Sequence, residues 1–263
     1  MISKMTARRR PASFRGLQVA LLFCCLLASL LVAGQAWAIN VLQLYIEGGT
    51  YDATQTWVLN TGGPFNLWVM GNTSGPGGQG TISGVTLFAA FPDSVPSAAS
   101  ISLTPIITSL SGWTDALAPS SPTAAVRDTS GTTPASLGAP HGIYGSSTDW
   151  IPFSLGSLSA TTDSVADLSP PCDPATSNCS NTLSGQINAY RVTLTGFPFN
   201  SFVHFDVSGT ITLPSGNAQI RNAPFSHDAE ASVSVVPEPG TLLLLGSGFA
   251  GLGGISWRRS RRR

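Results

Sequence analysis

Apolar and polar side chains alternate along much of the middle of this chain. Leu42, Leu44 and Ile46 fall on one face of an extended segment, as do Val203, Phe205 and Val207 of another. Segments rich in Val, Ile, Thr and aromatics recur between Gly, Pro and Asn turns. They predict strands near Val41–Glu47, Thr54–Asn60, Phe65–Gly71, Thr81–Phe91, Ser100–Leu110, Trp150–Leu155, Asn188–Phe197, Val203–Leu213 and Ala231–Val235. No internal repeat interrupts the series, and between the two ends no long segment carries a helical period. So many short strands predict an all-β fold, a single jelly-roll-like β-sandwich with long loops. Gly71–Gly80, Ser111–Pro140 and Gly156–Gly185 read as loops from their composition, the second as a long Ser, Thr, Pro and Ala insertion within one domain.

The two ends break the alternation with continuous apolar runs. Basic residues Lys4, Arg8, Arg9, Arg10 and Arg15 precede Leu17–Gly34, which is almost wholly apolar and leads to Ala36-Trp37-Ala38. That order is a signal peptide over residues 1–38, with Ala36 and Ala38 as the small residues read by signal peptidase and cleavage after Ala38. At the other end Val236-Pro237-Glu238-Pro239-Gly240 cannot be regular helix, because two prolines remove donors and fix φ. Thr241–Trp257 carries no charge and, as a helix, spans roughly 26 Å, near the lower limit for a bilayer core of about 30 Å. Arg258, Arg259, Arg261, Arg262 and Arg263 follow it as a membrane stop, which holds the terminus in the cytoplasm and the body outside.

Charge sharpens this division. The chain has 13 Lys and Arg against 13 Asp and Glu, a formal net charge of zero. Between Ile39 and Val236, however, three arginines (Arg127, Arg191, Arg221) face twelve acidic residues, so the body carries a net charge of −9. An acidic body repels nucleic acid, and the arginine clusters at the ends belong to membrane topology instead.

Three features in order carry a specific resemblance: Val-Pro-Glu-Pro-Gly-Thr, the apolar run after it, and Trp-Arg-Arg-Ser-Arg-Arg-Arg. Residues 236–263 resemble the PEP-CTERM sorting signal. The resemblance implies a Gram-negative host and an exosortase that reads Pro237, Glu238 and Pro239 as substrate and removes the tail. It implies transient inner-membrane anchoring, then the cell surface or matrix, with residues 39–235 as the delivered domain. Segments of that domain also resemble the choice-of-anchor N family: LQLYIEGGTYD (42–52), GPFNLWV (63–69), APHGIY (139–144), His204-Phe205-Asp206-Val207 and APFSHDA (223–229). That family name describes sorting and implies no activity.

Cys172 and Cys179 remain after signal cleavage, seven residues apart in a turn-rich stretch. In an exported protein this spacing is most simply a disulfide, worth only ~2 kcal/mol across so short a loop. Zinc would want more Cys or His nearby.

The histidines are His141, His204 and His227. His204 and Asp206 alternate with Val203, Phe205 and Val207, so both are expected on the outer face of their strand. His227 and Asp228, followed by Glu230, offer further ligands if they fold nearby. The carboxylates suit calcium and the imidazoles a transition metal; the competing reading is surface polar residues and turn caps. Ser226-His227-Asp228 is no triad by adjacency, since consecutive extended side chains point oppositely. No nucleophile elbow, metalloprotease helix motif, P-loop or dinucleotide fingerprint occurs.

These features lead to a non-enzymatic, exosortase-processed surface protein with a structural or adhesive role in exopolysaccharide or biofilm. The alternatives are a carbohydrate-binding module, calcium-dependent in one version, with Trp57, Trp68, Trp113 or Trp150 stacking on sugars, and a polysaccharide hydrolase.

Overall fold

The computed structural model describes residues 41–52, 56–74, 80–107, 109–110, 113–114, 119–137, 145–159, 163–166, 168, 172–176, 179, 182–213, 215–223, 228–234 and 247. Among them are fifteen strands. In chain order they are β1 (Leu42–Ile46), β2 (Thr50–Tyr51), β3 (Trp57–Thr61), β4 (Phe65–Asn72), β5 (Thr81–Pro92), β6 (Ser100–Ile106), β7 (Ser109–Leu110) and β8 (Trp113–Thr114). Then follow β9 (Thr123–Ala124), β10 (Thr148–Ser159), β11 (Asp163–Ala166), β12 (Thr182–Thr195), β13 (Phe202–Thr212), β14 (Ala218–Asn222) and β15 (Ala229–Val233).

The strands form an all-β sandwich. One sheet has the order β1-β4-β12-β11 with β6 also on β12; the other runs β2-β3-β15-β13-β5-β10-β9 with β14 on β13. β7 and β8 pair separately. Pairing is antiparallel except where β15 lies parallel to β3. Leu42, Leu44 and Ile46 are buried, as are Val203, Phe205 and Val207 of the opposite sheet, with Phe65 edge-on to Phe205 at 6.1 Å. Gly209 on β13 is crowded from both directions: a Cβ there would lie 2.7 Å from Ile82 on the neighbouring strand β5 and 3.4 Å from Leu42 of the opposite sheet.

Each of the nine predicted segments contains or overlaps a strand, while the loops hold more structure than their composition suggested. Gly156–Gly185 contains the end of β10, all of β11, a 3-10 turn at Pro174–Thr176 and the start of β12. Ser111–Pro140 contains β8 and β9. Such two-residue and four-residue strands have no periodicity of their own: β9 and β11 take their extension from the long strands β10 and β12, and β8 pairs with the equally short β7.

Both sheets are also covered on their outer faces. Gln43 and Tyr45 alternate with the core residues of β1 yet are fully buried. Gln43 Nε2 donates to the Ala166 carbonyl at 2.8 Å, and its Oε1 accepts from Leu168 N at 2.8 Å. Tyr45 Oη donates to Asp173 Oδ1 at 2.6 Å, beside the disulfide that joins Cys172 to Cys179 with a Cα separation of 5.0 Å. On the other sheet Phe88, Ala90 and Trp150 pack with Leu137, which comes from the long segment before β10. Asn222 Nδ2 donates to the Leu137 carbonyl, and Asp128 bridges to Trp150. Among the described residues no helix is long and apolar enough to cross a membrane. The segments expected to be signal peptide, sorting motif, membrane helix and basic tail lie outside them, apart from Ser247.

Candidate functional site

The polar centre of the body lies on β13. His204 pairs across the sheet with Ala90 on β5 and Glu230 on β15, and Asp206 with Phe88. One position before β15, the Asp228 carbonyl accepts from Trp57 N at 3.1 Å, which places Asp228 beside this row. His204 and Asp206 share the outer face of β13, as alternation requires. The expectation that this face is open to solvent is corrected: His204 is 3 % exposed, and Asp206 and Asp228 are 0 % exposed. Alternation cannot register Leu137, which packs on Ala90 and Phe88, the cross-strand partners of His204 and Asp206, from 67 positions before His204 in the chain.

His204, Asp206 and Asp228 bring one donor atom each within 4.8 Å of one another. His204 Nε2 lies 3.6 Å from Asp228 Oδ2 and 4.0 Å from Asp206 Oδ1. Its other ring nitrogen, Nδ1, lies 3.6 Å from Glu230 Oε2, and Glu230 is 30 % exposed. Burial opposes protonation of the imidazole, but the facing carboxylates of Asp228 and Glu230, with the charges of Asp206 and Asp228, outweigh it. The His204 pKa is raised to about 9. The protein chain alone therefore holds an imidazolium among carboxylates at neutral pH.

Of the candidate ligands, the structure assembles His204, Asp206 and Asp228, with Glu230 behind the ring. His141 and His227 lie outside the described residues.

A second ionic pair, half-buried on its arginine side, sits at the edge of the same sheet. Arg127 Nε donates to Asp149 Oδ2 at 2.6 Å, its other nitrogens reach the Val95 and Pro96 carbonyls, and its guanidinium lies 4.9 Å from the Phe91 ring centroid. Sequence reading missed this clamp, since partners 22 positions apart leave no local signature.

The tryptophans are corrected as a sugar-stacking platform. Trp57, Trp68 and Trp150 are at most 3 % exposed, and Trp68 Nε1 donates to Glu47 Oε1 at 2.8 Å. The side chain of Trp113 lies outside the description.

Residues 235–262 match the family profile of the PEP-CTERM protein-sorting motif. The chain is therefore an exported, exosortase-targeted protein of the cell surface. No curated protein matches the sequence. Among solved structures, domains D2 and D3 of the major pilin SpaD from Corynebacterium diphtheriae match with 6 % identity and a TM-score of 0.26, over 70 % of this chain and 49 % of that one. A DUF4466 family protein from Parabacteroides merdae matches with 10 % identity and a TM-score of 0.25, over 71 % and 44 %. This chain thus spans about half or less of each of those chains, and at such TM-scores neither likeness carries an argument. Nothing in these matches supports the choice-of-anchor N resemblance of the body.

Proposed function

We propose that this protein is a structural or adhesive component of the extracellular exopolysaccharide or biofilm matrix of a Gram-negative bacterium. Its chemistry in sorting is that of a substrate: Pro237, Glu238 and Pro239 are read, and the catalytic groups belong to the exosortase. The match at residues 235–262 carries this reading. The body supports it, because its largest aromatics and its carboxylate cluster are enclosed. Asp206 and Asp228, at 0 % exposure, are not placed to flank a glycosidic bond.

The test is fractionation of the native host expressing wild type or the triple change Pro237→Ala, Glu238→Ala, Pro239→Ala. The wild type should reach the surface or matrix, and the variant should accumulate in the inner membrane at full length. Equal surface delivery of both would remove the motif from the account. A deletion strain that retains its matrix polymer and surface attachment unchanged would refute the structural role.

A further inference from the structure

We propose that His204, Asp206 and Asp228 form a buried site for one divalent transition-metal ion of the Zn2+ class, with Glu230 orienting the imidazole from behind.

Charge is the first argument. Asp206 and Asp228 are wholly buried and face the same imidazole nitrogen. With a neutral imidazole the two carboxylates carry a charge of −2 in a buried place, the complement of one divalent ion. A neutral imidazole, two carboxylates and a divalent ion sum to zero.

Geometry is the second. The Nε2–carboxylate separations of 3.6 and 4.0 Å exceed a normal hydrogen bond. Donors about 2.0–2.2 Å from a shared ion stand roughly 3.3–3.8 Å apart at tetrahedral to trigonal angles, so drawing the three donors in from their 4.8 Å envelope by about 1 Å closes the site. Glu230 lies on Nδ1 at 3.6 Å, on the far side of the ring from the two aspartates. A carboxylate there holds the ring proton on Nδ1 and turns the Nε2 lone pair toward the ion, the arrangement that orients metal-bound imidazoles. The imidazole donor also selects the metal class, because calcium takes oxygen ligands whereas imidazole suits zinc and its neighbours.

An ion here would tie β13 to the chain entering β15, beneath the cover that carries Leu137. The test uses the full chain without a histidine tag, in detergent, stripped with EDTA and then offered Zn2+, Mn2+ or Ca2+. One equivalent of Zn2+ should be retained through desalting and should raise the melting temperature. Asp206→Asn and Asp228→Asn should lose that equivalent, and Glu230→Gln should weaken it by about 10–100-fold. Wild type that retains no Zn2+, or retains Ca2+ in preference, overturns the assignment. So does an aspartate variant that still holds one equivalent. If those variants do not fold, Glu230→Gln decides: affinity at least tenfold weaker supports the site, and unchanged affinity overturns it.

Discussion

The two outer faces of the sandwich are covered by different means. Over β1 the cover is stitched down: an amide makes two hydrogen bonds, a phenol reaches the Asp173 carboxylate, and a disulfide closes the segment. Over β13 and β5 it rests on Leu137 against Phe88, Ala90 and Trp150, beside a row of charged groups. The first gains its hold from satisfied polar groups and covalent closure, the second from apolar packing over an ionic cluster. A face held by many small satisfied bonds should lose stability gradually on substitution, whereas a buried charge cluster should fail sharply when one member is removed.

The sharpest break comes from His204→Leu in EDTA-treated protein. It leaves Asp206 and Asp228 buried without their cationic partner, and denaturant unfolding should show a loss of about 3–5 kcal/mol. A change below about 1 kcal/mol would mean that the cluster is not electrostatically coupled. Next, Leu137→Ala should cost about 2–3 kcal/mol, since a buried leucine is lost at the rim of a small apolar cluster. Hydrogen exchange should then rise across residues 119–137 and over β13 while β1 stays protected. Equal loosening of both faces would contradict their independence.

On the other face, Cys172→Ser with Cys179→Ser should cost ~2 kcal/mol and leave the sandwich folded. The comparison is read from melts with and without reductant. Smallest is Tyr45→Phe, which removes one hydrogen bond to a carboxylate and should cost about 1.5 kcal/mol. It carries a pH signature. Burial first, then Asp173, raises the Tyr45 pKa far above its ordinary value of 10.0. Above that ordinary value the unfolded chain releases the phenolic proton and the folded one keeps it, so stability falls as pH rises. The alkaline fall should be shallower in Tyr45→Phe, and an identical slope would remove Tyr45 as its source.

The sequence made one half of each strand legible. Alternation identified Leu42, Leu44 and Ile46 as one face and put His204 and Asp206 together on another, and the structure keeps both groupings. It misjudged exposure, because alternation assumes that one face meets water. Gln43 and Tyr45 bond to residues 123 and 128 positions away, and Leu137 packs on Ala90, the cross-strand partner of His204; no local pattern encodes such covers. The parallel pairing of β15 with β3 was equally invisible, since it joins the two ends of the body. Glu230 was legible only as one more acidic residue near Asp228; its place behind the imidazole depends on the register between β13 and β15. The sorting motif differs in kind, because it is read as linear sequence and needs no partner from elsewhere in the chain.

Delivery of this chain with trimming at both ends is tested most directly by intact-mass spectrometry of the protein from its native host. The mature product should begin at Ile39 and end near Pro237–Pro239, carrying the acidic body without either basic end. A surface-located product that still retains Arg263 would contradict it.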